Sequence, residues 1–161
     1  MNKYLFLSLL SILLLCSCNR RGDRIELPFS AWVEVPAGLN TFYTYYFPVR
    51  VPTFGSVPAG VIDAQPANIR LFLENGAPTF DFARSLYIDA VTDSSRNEIG
   101  FHVNMPVTNS ATADLFPSIY NLKDHISQDS FDIELKLELR GITNATSRIR
   151  IDFTILCELE D

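Results

Sequence analysis

His102 and His125 are the only two histidines in the sequence, so base chemistry near neutral pH would fall to them or to carboxylates with raised pKa. Each histidine has a structural explanation. His102 stands between Phe101 and Val103 in an alternating run and takes the outward phase. His125 closes a stretch of helical spacing, where positive charge is favoured. Asp124 is its neighbour in sequence, but adjacent residues on a helix do not face each other, so the two are not a dyad. Serine-nucleophile motifs, zinc-ligand spacings and phosphate-cradling glycine loops are absent from the sequence. Asp89, Asp93, Asn97 and Glu98 gather around one turn and carry the oxygen ligands calcium prefers. They depart from the EF-hand pattern, and acidic turns are commonly just solvated. No catalytic residue, cofactor or metal is therefore assigned.

The elements that must position these residues are strands. Odd positions from Ile25 to Val35 are apolar (Leu27, Phe29, Ala31, Val33) until Pro36-Ala37-Gly38 interrupts the chain. Leu39, Tyr43, Tyr45, Phe47, Val49 and Val51 continue in one phase, with Pro48 and Pro52 confining that strand to an edge or to its exit. A three-residue hairpin loop would join the two. Residues 54–67 show no sustained period and read as a loop or irregular edge. Ile69, Leu71 and Leu73 lead to a turn at Asn75-Gly76. Leu86, Ile88 and Ala90 form one further run, and Ile99, Phe101, Val103 and Met105 another. Leu115, Ile119, Leu122 and Ile126 recur at helical spacing, which predicts a short crossover helix from about Phe116 to Ile126.

Two strongly alternating runs close the chain, Phe131 to Leu139 and Ile149 to Leu159, both apolar at odd positions. Read as a hairpin pairing Leu139 with Ile149, they would set Glu138 opposite Arg150 and Lys136 opposite Asp152. Such opposite charges help by some tenths of a kcal/mol. Cys157 shares the apolar phase and is expected to be a buried, inert thiol. The fold expected is an all-β antiparallel sandwich of about seven strands, Greek-key or immunoglobulin-like, with one short crossover helix.

One set of aromatics breaks the alternation. If Val35 paired with Leu39 across the first turn, Trp32 would lie opposite Phe42 on the face away from the core, with Tyr46 further along it. Trp32, Phe42 and Tyr46 thus form the candidate binding face, suited to stacking on sugar rings or receiving a protein. The competing expectation is that the helix or the 54–67 segment covers them.

The first residues carry an address. Lys3 precedes an apolar run from Tyr4 to Leu15, the layout of a secretory signal. A helix over that run would rise about 18 Å against a hydrocarbon core of about 30 Å, too short for a permanent span. Leu15-Cys16-Ser17-Cys18 resembles the lipobox of bacterial lipoproteins, with an aliphatic residue at minus three and a small one at minus one. The resemblance implies cleavage after Ser17, a diacylglyceryl thioether on Cys18 and a membrane anchor of two or three chains. In systems where aspartate after the cysteine retains a lipoprotein in the inner membrane, the same resemblance implies that Asn19 sends this one to the outer membrane. Residues 1–17 are then the signal, 18–24 the lipidated tether and 25–161 the domain.

The formal net charge is −6, and cleavage would remove a positive charge, Lys3. Nucleic acid and anionic lipid surfaces, which ask for basic patches, are poor partners. The expectation is a non-enzymatic cell-envelope module that binds a protein partner or a glycan. The alternatives are a structural subunit of an envelope assembly and a carboxylate-based hydrolase.

Overall fold

A computed structural model describes residues 23–50, 60–92, 96–107, 109–128 and 130–160, so the signal, Cys18 and Asp93 lie outside the described residues. Among the described residues, nine strands make two antiparallel sheets. They are β1 (Arg24–Val35), β2 (Phe42–Arg50), β3 (Val61–Asn75), β4 (Ala83–Val91), β5 (Arg96–His102), β6 (Thr112–Asp114), β7 (Phe116–Pro117), β8 (Ser130–Leu139) and β9 (Ser147–Leu159). Sheet A has the order β1-β9-β3-β6 and sheet B the order β2-β8-β4-β5-β7. The all-β sandwich is as the alternation predicts. Its inner faces meet in one core, where Phe29 stacks on Phe153 within sheet A (4.9 Å between centroids) and meets Phe131 of sheet B edge-on at 5.9 Å. Each such buried ring contributes on the order of 2 kcal/mol.

The connectivity departs from the sequence expectation at both proposed hairpins. β8 and β9 bury their odd residues as expected, but they lie in different sheets. Residues 140–146 carry the chain from one sheet to the other, and the two strands face each other across the core. Leu139 therefore pairs with Ala83, and Ile149 with Val33 and Leu73. Glu138 meets Arg84 (3.5 Å), while Lys136 pairs with Asp89. Charge complementarity failed as a guide to register because opposite charges were also available elsewhere: Glu138 and Lys136 find theirs on β4, and Arg150 finds its own on β3 and within β9. β1 and β2 likewise part at residues 36–41: β1 pairs with β9, and β2 with β8. Among the described strands only β4 and β5 are sequence neighbours that also pair.

Residues 61–67 belong to a strand, not a loop. Register shifts between Val61 and Asp63 and between Ala67 and Arg70 each insert an extra residue, and Asn68 takes a left-handed φ of 49°. Burial switches from Val61 to Ala64 and Pro66 and back to Ile69 and Leu71, which erases the period of two that a sequence scan looks for. Pro66 is tolerated because β6 covers only Arg70 to Phe72, leaving that part of β3 unpaired on one side. A similar shift at Ile88/Asp89 puts Tyr87 opposite Phe101, and buried Leu86 opposite His102. Val103 is exposed, reversing the phase expected for residues 101–103.

The crossover helix shrinks to one turn, α1 (Lys123–Ile126). Phe116 and Pro117 instead extend along β5, with Ile119 exposed while Leu115, Leu122 and Ile126 are buried. The extended segment through β6 and β7 passes from sheet A to sheet B and closes that side of the sandwich. Gly100 lets the layers meet there: a Cβ on it would fall 2.3 Å from Ile69 Cδ1. Cys157 is buried, as expected, and burial reinforced by Asp63 pushes its thiol up to about 11. No helix among the described residues is long and apolar enough to cross a membrane.

Candidate binding face

Trp32, Phe42 and Tyr46 are all exposed, at 47%, 60% and 51%. The structure does not bring them together. Trp32 sits opposite Arg150 on the outer face of sheet A, and Phe42 opposite Glu138 on the outer face of sheet B. The expected pairing fails because the chain changes sheet between β1 and β2.

On sheet A, Trp32, Arg150 and Phe72 form one row across β1, β9 and β3. The Arg150 guanidinium lies over the Phe72 ring at 4.4 Å, and that of Arg148 over Trp32 at 6.0 Å. Glu74 ties the row together: its Oε1 accepts from Trp32 Nε1 at 3.2 Å and lies 3.5 Å from Arg150 Nη1, while its Oε2 lies 3.5 Å from Arg148 Nε. Held on three sides, Glu74 fixes the indole edge, and Trp32 stays about half exposed with the Arg148 guanidinium over its ring.

The next row is Ser30, Asp152, Arg70 and Asp114. Ser30 Oγ donates to Asp152 Oδ1 at 2.9 Å, Arg150 Nε lies 3.2 Å from Asp152 Oδ2, and Arg70 Nε donates to Asp114. That hydrogen bond, with the charge of Asp114, raises the Arg70 pKa. Asn68, Arg70, Phe72, Asp114, Pro117 and Asp152 line an open groove of about 530 Å³ beside the aromatic row. The left-handed backbone at Asn68 comes from the bulge that hid this strand in the sequence. Phe72 had one legible signal, its place in the outward phase of Arg70, Phe72 and Glu74. The contributions of Arg150 and the groove depend on strand order and were not legible.

On sheet B, the row Tyr46, Glu134, Asp89 and Glu98 spans β2, β8, β4 and β5. Tyr46 Oη donates to Glu134 Oε1 at 2.6 Å, Arg96 Nη2 donates to Tyr46 Oη at 2.7 Å, and Arg96 Nε lies 2.6 Å from Glu134 Oε2. The bond to Glu134 raises the Tyr46 pKa, opposite to what a phenolic nucleophile needs. Lys136 pairs with Asp89; burial would lower the pKa of its ammonium, but Asp89 and Glu134 outweigh this and raise it. Burial, then the charge of Asp89, raises the Glu98 carboxyl. Asp89 thus faces an ammonium, Asn97 pairs with buried Ala90, and no grouping of acidic, histidine or cysteine side chains among the described residues could hold a metal ion.

His102 lies at the seam between β5 and the crossing segment. Its Nδ1 is 2.8 Å from the Asp114 carbonyl, and its ring packs on Phe116. His125 is buried at 2% exposure, edge-on to Tyr120 and Phe131. Neither of its ring nitrogens has a hydrogen-bond partner, and burial, opposed by the charge of Asp124, lowers its pKa.

No family model matches the chain, and no curated protein matches it. Solved structures similar to it include FLHE (TM-score 0.37, 11% identity, covering 86% of this chain and 99% of that one). A cyanophage Pam1 capsid protein gives TM-score 0.37 at 14% identity, covering 84% and 86%. The GH31 CBM32-2 module bound to GalNAc gives 0.33 at 12% identity, covering 80% and 75%. Likeness this distant carries no functional argument, and the sandwich stands on its own strand pairing.

Proposed function

We propose that this chain is the precursor of a cell-envelope lipoprotein, anchored in the outer membrane by lipid on Cys18, whose β-sandwich is a non-enzymatic module that binds glycan on the outer face of sheet A. One observation carries the glycan reading. The exposed indole of Trp32 and the ring of Phe72 flank Arg150 in one row, beside an open groove of carboxylate, guanidinium and amide side chains. Aromatic faces stack against the C–H faces of sugar rings, and planar polar groups at their edges hydrogen-bond the hydroxyls.

The anchor fits this arrangement. β1 begins at Arg24, the last residue of the expected tether, and at about 3.3 Å per residue Trp32 stands roughly 26 Å along the strand from that end.

Trp32 is the only tryptophan in the chain, so its emission reports on the face itself. Titrating the detergent-solubilised lipoprotein with a panel of oligosaccharides should give a saturable change. Phe72→Ala, followed by the same emission, and Trp32→Phe, which removes that reporter and is followed by isothermal titration calorimetry, should each weaken binding at least tenfold while circular dichroism stays unchanged. A panel that leaves the emission flat would overturn the glycan reading. The anchor is tested by incorporation of an alkyne-labelled fatty acid, which Cys18→Ala should abolish and Cys16→Ala should spare. Continued labelling of the Cys18 variant would refute it.

A further inference from the structure

The groove beside Trp32 has a charge pattern that selects among glycans. Each arginine on the outer face of sheet A is committed within the protein: Arg24 to Glu158, Arg70 to Asp114, Arg148 to Glu74, and Arg150 to both Glu74 and Asp152. An anionic sugar would have to draw one of them off its carboxylate, exchanging one charge-assisted bond for another with little net gain. Carboxylates also outnumber arginines there. Glu26 and Glu34 point outward from β1, and Asp63 shares the row of Glu158 and accepts from Gln65. The face is therefore negative, while its exposed carboxylate, Asp114, suits acceptance from sugar hydroxyls.

Resting on the glycan reading above, we infer that the ligand of this face is a neutral, hydroxyl-rich oligosaccharide, one ring stacked on Trp32 and its neighbour in the Arg70–Asp114–Asp152 groove, and that uronate-bearing or sulfated glycans are rejected. Stacking and hydrogen bonding to hydroxyls carry no net charge. Binding should then be nearly independent of salt, whereas recognition of an anionic chain would weaken as ions screen it.

The lipoprotein is solubilised in a detergent without a sugar headgroup and titrated by Trp32 emission at 50 and 500 mM NaCl. The neutral probes are cellohexaose, laminarihexaose and mannohexaose; the anionic ones are hexagalacturonate and a heparin hexasaccharide. The expected result is saturable binding of at least one neutral probe, changing less than twofold with salt, and at least tenfold weaker binding of both anionic probes. In Glu26→Gln/Glu34→Gln/Asp63→Asn, which leaves the lining of the groove intact, the gap between classes should narrow severalfold. An unchanged gap overturns the electrostatic basis. Salt-sensitive binding of an anionic probe that Phe72→Ala abolishes, with the Trp32 reporter kept, overturns the inference and leaves the glycan reading standing. Binding of neither class overturns both.

Discussion

Gly38 and Gly76 provide a controlled pair for testing how closely the sheet ends pack. Both hold a left-handed φ, +85° and +88°, so alanine at either site meets the same backbone penalty, about 1 kcal/mol. Their surroundings differ. A Cβ on Gly38 meets nothing within 4 Å, whereas one on Gly76 falls 2.2 Å from the Thr146 carbonyl oxygen and 2.6 Å from Ser147 Cα. Those atoms are backbone at the start of β9. They are held by the bonds from Ala77 N to Ser147 Oγ (2.9 Å) and from Arg148 N to Asn75 Oδ1 (2.9 Å), so they cannot swing aside as a side-chain tip would. Relieving the overlap takes a shift of roughly 1 Å, which adds about 2 kcal/mol or more. Gly38→Ala should thus cost about 1 kcal/mol and Gly76→Ala at least about 3 kcal/mol. With a urea m-value of about 1.5 kcal/mol/M, the second loss moves the midpoint by about 2 M. Urea unfolding followed by circular dichroism and by Trp32 emission measures both, and coincident transitions check that two states suffice. Equal losses in the two variants would refute the close approach of the Gly76 turn to β9.

His125 makes stability depend on pH. Its folded pKa lies below its unfolded value of about 6.5, so its contribution is complete above that pH and lost as the pH falls below it. His125→Phe should flatten the slope between pH 7 and 5, and an unchanged slope would exclude this origin. Removing Glu134, buried beneath Tyr46 and Arg96, should cost about 2 kcal/mol in Glu134→Ala because Arg96 and Lys136 lose a shared partner. Thermal unfolding of that variant at no cost would show that water serves these cations equally well. The Cys157 thiol should resist a disulfide reagent at pH 8 in the folded protein and react at once in denaturant. Fast labelling of the native state would mean that β9 opens locally.

Several features of this protein were determined locally and are legible in its sequence. Alternation over 25–35, 131–139 and 149–159 gave the strands, their buried phase and the inward thiol of Cys157, because side-chain direction along a strand follows from backbone geometry alone. Trp32, Phe42 and Tyr46 were legible as outward residues for the same reason, and all three are exposed. Partnership was another matter. Alternation says which face a residue takes and nothing about which strand lies beside it, so β8 and β9 read equally well as a hairpin or as opposing walls of a core. Burying two long amphipathic strands against each other across the sandwich removes more apolar surface than pairing them edge to edge in one sheet. That choice, made by the whole core, separates Trp32 from Phe42 and sets it in a row with Arg150 and Phe72. The bulges in β3 and β5 add residues that only their partners' registers reveal, hiding a strand in 61–67 and placing Asn68 at the groove.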